Sequence, residues 1–151
     1  MNPDGSVIIK MGSPDYNTNV SSPPSANTDT RFYGPVCSSA SIAVASMFAH
    51  AALVYQDIPA LETYGNVLKE KAITCFDHVL PQLDANTLDE NCDDGSIVSC
   101  DADVTAAQQY QYALLAAFYL FELSDSTIYG QYIIDHINDA ELISTDCVGP
   151  D

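Results

Sequence analysis

The chain has 151 residues, 47% of them hydrophobic, with 21 acidic side chains against 4 basic ones and a formal net charge of −17. One domain with a real core fits that length and composition, and wholesale disorder does not. So negative a surface disfavours nucleic acid and anionic membranes as partners, and leaves a neutral polymer such as a glucan open.

Residues 1–36 are rich in Asn, Ser, Pro, Gly, Asp and Thr. Apart from the apolar run Val7-Ile8-Ile9 they keep no period of 3.6 or 2, which predicts a brief extended piece and then a long loop. No basic stretch followed by an apolar one opens the chain. Asp4-Gly5-Ser6 stands so close to Met1 that it reads as an internal segment carrying a start codon. No apolar run reaches the length of a membrane span. Asn19-Val20-Ser21 is a glycosylation sequon, making Asn19 a candidate acceptor.

The first helix is predicted from Ser38 to Tyr55, with Ser38 or Ser39 as its cap. Ile42, Ala45, Phe48, Ala49 and Ala52 recur at helical spacing, and the alanines allow close approach of a neighbour. The second is predicted from Pro59 to Leu80, capped by Asp57, with Pro59 in its first turn and Pro81 ending it. Leu61, Tyr64, Leu68, Ala72, Cys75, Phe76 and Val79 form its apolar stripe. Residues 82–101 read as an acidic loop.

The third helix is predicted from Val104 to Leu123 with Asp103 as cap, burying Tyr110, Ala113, Leu114, Ala117, Leu120 and Phe121. Leu115, Ala116, Phe118 and Tyr119 make it apolar nearly all round, a pattern normally covered on both sides. The fourth is predicted from Ser126 to Asn138, capped by Ser124 or Asp125, with Tyr129, Tyr132, Ile133 and Ile137 inward. Short links make helices one and two, and three and four, antiparallel hairpins. The expected class is all-α, with 1–36 as extended piece and loop and 37–151 as one helical domain.

Five cysteines occur, at 37, 75, 92, 100 and 147. Cys92 and Cys100 bracket a short polar loop, and a disulfide between them is weighed evenly against free buried thiols. Cys37, at a helix start, reads as a small buried residue rather than an activated thiol. The loop Asp89-Glu90-Asn91-Cys92-Asp93-Asp94-Gly95 has the oxygen density of a calcium site. Its glycine falls one position late for a calcium loop, and Cys100 stands where the terminal Glu belongs, so a solvated loop is the reading adopted and no cofactor is expected. His50, His78 and His136 lie on predicted helices without zinc spacing and read as structural. No nucleophile elbow and no glycine-rich phosphate loop is found.

Two blocks resemble glycoside hydrolase family 9. Arg31-Phe32-Tyr33-Gly34-Pro35, running into the alanine-rich helix that ends in Val54-Tyr55, is similar to that family's Arg/Tyr/Pro loop and following helix. Asp4-Gly5-Ser6-Val7 and Lys10 resemble the stretch before that loop. Leu115-Ala116-Ala117, continuing to Ser124-Asp125 and Tyr129, is similar to the family's Trp-Ala-Ala block, with Leu115 in place of Trp. Gln109-Tyr110-Gln111 replaces an acidic run, and Leu53 a frequent Arg.

The resemblance implies helical hairpins of an (α/α)6 barrel within a secreted, inverting β-1,4-glucan hydrolase. The family's catalytic base lies in an early Asp-Ala-Gly-Asp and its acid is a late Glu; neither is present here, so the chain alone is expected to be inactive and no catalytic residue is assigned. Arg31, Phe32 and Tyr33 are the candidate substrate contacts, since aromatic faces stack on sugar rings and Arg donates to hydroxyls. The competing reading is a loop packed on the barrel rim. The implied partners are a β-glucan or other neutral polysaccharide, and the remaining barrel helices or another subunit. The alternative is a non-catalytic secreted helical binding or assembly protein.

Overall fold

The structure, a computed structural model, describes residues 1–14, 24–26, 28–97 and 102–139. It is mostly helical: α1 Ser38–Gln56, α2 Glu62–Ala85, α3 Ala106–Ser124 and α4 Thr127–His136, the last continued by a 3-10 turn. Two short strands, β1 Met11–Gly12 and β2 Phe32–Tyr33, pair antiparallel with Met11 opposite Tyr33 and Gly12 opposite Phe32. Asn19 and Cys100 lie outside the described residues.

α1 packs against both α2 and α3. Its inward positions are small: Ala45, Ala49 and Ala52 are buried, as are Ala113, Ala116 and Ala117 of α3. Small side chains bring helix axes close, so dispersion contacts are made largely by the helix bodies. Leu68, Ala72, Cys75, Phe76 and Val79 of α2 are buried as the spacing predicts, whereas Tyr64 is exposed. Phe76 is fully buried and meets Tyr129 and Tyr132 of α4 edge to face, at centroid distances of 5.4 and 5.6 Å. That geometry sets ring edges against ring faces, as aromatic quadrupoles prefer.

Several helix ends differ from the sequence expectation. α1 is capped by Cys37, not by a serine. Ser38 and Ser41 turn their hydroxyls to other partners: Ser38 to Gln109, and Ser41 to the Val7 amide. α2 starts at Glu62, because Ile58 and Leu61 first close tight turns on Tyr55 and Ile58. Pro81 does not stop it. The proline sits inside the helix with its ring exposed, and the next turn buries Leu83 before Asn86, at φ 52°, ends the helix. Left-handed backbone suits Asn, and its amide closes back on Leu83. α3 is capped by Thr105 in a box with Gln108, not by Asp103.

One further expectation fails on packing. α3 is not covered all round: Tyr112, Leu115, Phe118 and Phe121 are exposed. α1 has the length and composition to cross a bilayer, which run length alone did not register, but here it is the helix packed on two others.

The N-terminal segment is part of the core rather than a tail. Val7 is buried in the main cluster, the Cys37 amide donates to its carbonyl, and the Ile9 amide donates to Pro35. Gly5 makes the preceding turn at φ 91°, pressed on α2. A Cβ there would lie 2.8 Å from the Thr74 carbonyl carbon and 2.9 Å from the His78 Cβ. Gly5→Ala is therefore expected to cost about 2 kcal/mol, from positive φ and overpacking together. A thermal melt should show a midpoint lower by about 6 °C. An unchanged midpoint would mean that residues 1–9 contribute nothing to the cooperative unit.

Candidate functional site

The candidate substrate contacts Arg31, Phe32 and Tyr33 lie just before α1. Phe32 and Tyr33 form β2 and Arg31 leads into it, all three exposed. Tyr33 has 62% and Phe32 38% of its surface in solvent. Neighbours on a strand point to opposite faces, so the two rings do not share one platform. Tyr33 stands with Met11, itself 59% exposed, whereas Phe32 stands opposite Gly12. The Arg31 guanidinium donates to the Ser13 hydroxyl, which fixes its direction along the ribbon.

The acidic loop lies beside this ribbon. The Lys10 ammonium pairs with the Asp93 carboxylate. That hydrogen bond holds Asp93 below the usual carboxylate range, and the neighbouring Ser96 does the same for Asp94. Three carboxylates in and beside the loop are held by backbone amides. Asp94 accepts from the Ser96 amide at 2.9 Å, Asp103 from Cys92 at 2.7 Å, and Glu90 from Ala106 at 2.6 Å. Among the described residues no group of three or more His, Cys, Asp or Glu stands where it could hold a metal ion. Asp93 and Asp94, both with lowered affinity for a proton, have the character of acceptors rather than of a general acid.

The cysteine expectation is corrected. Cys92 is bridged to Cys37, with Cα atoms 5.9 Å apart and a sequence separation of 55, so it does not close the short loop to Cys100. Cys37 is thus neither a lone buried residue nor a free thiol. Cys75 is free and buried, and burial pushes its thiol up to about 11, far from a nucleophile's range.

Behind the bridge lies a polar hub. Gln109 of α3 is fully buried. Its Oε1 accepts from Ser38 Oγ at 2.6 Å, and its Nε2 donates to the carbonyls of Asp89 at 2.7 Å and Val104 at 2.8 Å. Ser38 Oγ in turn accepts from the Asp89 amide at 2.9 Å. One amide side chain thus joins α1, the acidic loop and α3. Gln109 lies four residues before Ala113 on the buried stripe of α3, a signal that could have singled it out.

Gln109→Leu keeps similar bulk but strands the Asp89 and Val104 carbonyls. It is expected to cost about 2 kcal/mol, because unmet buried acceptors lose their hydration without replacement. Urea unfolding measures this; a loss under about 0.5 kcal/mol, ordinary for a surface change, would show the hub to be dispensable.

Two of the histidines pack against tyrosine rings. His50 stacks on Tyr119 across the α1–α3 seam at 4.8 Å, and His136 lies 4.4 Å from Tyr132. No protein-family model, no curated protein and no solved structure matches the chain.

Proposed function

We propose that this chain is a non-catalytic helical part of a larger α/α-barrel-type assembly that acts on β-1,4-glucans. The carrying observation is the uncovered apolar side of α1 and α3. Met47, His50 and Val54 recur at three and four residues on α1, and Tyr112, Leu115 and Tyr119 do so on α3. The His50–Tyr119 stack joins the two rows into one face. Met47 is 67% and Val54 51% exposed. Large apolar patches of this kind mark surfaces meant to be covered, and further barrel helices are the cover proposed.

The glucan assignment draws on the family 9 resemblance and on the exposed Arg31, Phe32 and Tyr33 beside a ribbon edge. The inversion chemistry would belong to carboxylates outside this chain. The test is the mass and activity of the native polypeptide carrying this sequence. A chain of several hundred residues releasing reducing sugar from a soluble β-1,4-glucan supports the proposal. A native mass near 16.2 kDa, or turnover by the 151 residues alone, overturns it.

A second reading, a secreted binding or assembly protein, is favoured by the Cys37–Cys92 bridge, since stable disulfides belong to oxidising compartments. It predicts a native mass near 16.2 kDa and defined oligomers of the isolated chain.

A further inference from the structure

A groove of about 470 Å³ lies between the C-terminal half of α2 and the length of α4. Leu80 and Ile128 give it an apolar part, and the rings of Tyr132 and His136 an aromatic one. Its charges are Asp84, in the last turn of α2, and Asp135, in the last turn of α4. Both carboxylates stand at helix C-termini, where the backbone dipoles add negative potential. The Gln131 amide donates to Asp135 at 2.7 Å, which orients that carboxylate without neutralising it. Tyr132 is 5% exposed, and its hydroxyl has no hydrogen-bond partner among the described residues. Burial first, and then the nearby phenol of Tyr110 and charge of Asp84, hold that hydroxyl in its neutral form.

Apart from the imidazole of His136, no basic side chain of the chain is among the residues that line the groove. Of its four basic residues, Lys10 pairs with Asp93, Lys69 donates to the Leu123 carbonyl, and Arg31 donates to Ser13. Lys71 lines a separate depression beside Met1 and Pro3. A bare metal ion is the wrong shape, since among the described residues no three ligating side chains converge. What the groove matches is an extended cation with an apolar stem.

We propose that this groove binds an alkyl guanidinium or alkyl ammonium group, the chemistry shared by an arginine or lysine side chain and a free diamine. The head lies between Asp84 and Asp135, with the Tyr132 hydroxyl as a third acceptor and the aromatic rings beside it. The stem covers Leu80 and Ile128, as long basic side chains do on apolar surfaces. The field of a chain with net charge −17 draws such a group in. This inference is independent of the glucan reading.

The test follows the Tyr132 and His136 ring resonances of the full chain while N-acetylarginine amide, its neutral isostere N-acetylcitrulline amide, or putrescine is added. Saturable shifts are expected with the two cations and none with the citrulline derivative. The double variant Asp84→Asn/Asp135→Asn should bind about 25-fold more weakly, about five-fold for each carboxylate. Asp57→Asn/Glu122→Gln changes net charge equally at exposed positions away from the groove and should stay within about two-fold at physiological salt. Tighter binding of the arginine derivative assigns a protein side chain as the natural occupant, and tighter binding of putrescine assigns a free diamine. Equal weakening in both double variants, equal shifts from the citrulline derivative, or no saturable shift in the parent chain would overturn the proposal.

Discussion

Replacing Cys37 and Cys92 together by alanine is expected to lower the unfolding free energy by about 4 kcal/mol, the chain-entropy value for a crosslink of this span. The bridge joins residues 55 apart in sequence, and both half-cystines are buried at 3% and 2% exposure. Without it the unfolded chain regains the freedom of a long loop, while the folded chain loses only two sulfur atoms from its interior. Urea unfolding of the oxidised parent and the double variant measures the difference. The parent in strong reductant should approach the variant. A variant as stable as the parent would mean that the hydrogen-bonded hub alone holds the acidic loop to α1.

Phe76→Ala is expected to cost a similar amount, about 4 kcal/mol, the middle of the range for emptying a buried aromatic site. Phe76 has no exposed surface, and its ring is the contact that Tyr129 and Tyr132 of α4 both meet. The loss should be lopsided. α4 is a ten-residue helix, too short to persist without packing. Amide exchange over Thr127–His136 should therefore accelerate more than over α1. Phe76→Leu should recover most of the stability, since a smaller apolar group still fills much of the space. Uniform acceleration across all four helices would show instead that Phe76 serves the whole core and not the α2–α4 contact.

Much of the helical layout was legible because long apolar periodicity is a local signal. α1 and α3 follow from their alanines and aromatics, and the buried stripe of α2 is correct from Leu68 to Val79. The ends were less legible. Pro81 misled because a proline's cost in a helix can be met when Leu83, two residues on, gains burial. Ser38 looked like a cap, but a hydroxyl that can reach Gln109 across the fold takes the buried partner.

Pairings distant in sequence left no trace to read. Nothing in the spacing of Cys37 and Cys92 distinguishes them from the closer pair Cys92 and Cys100. The opposed faces of Phe32 and Tyr33 were not legible, because a two-residue strand is too short to show alternation. The groove depends on where α2 meets α4. Asp84 and Asp135 therefore came together only in three dimensions.

The Cys37–Cys92 crosslink also makes α1 and α2 the arc of a covalent ring. A protease cut anywhere inside that ring would open it without dividing the molecule. The two pieces would travel together through a non-reducing separation, and α1 would stay tethered to the loop that leads into α3. A chain nicked in this way keeps its helices in one covalent body until a reductant releases them.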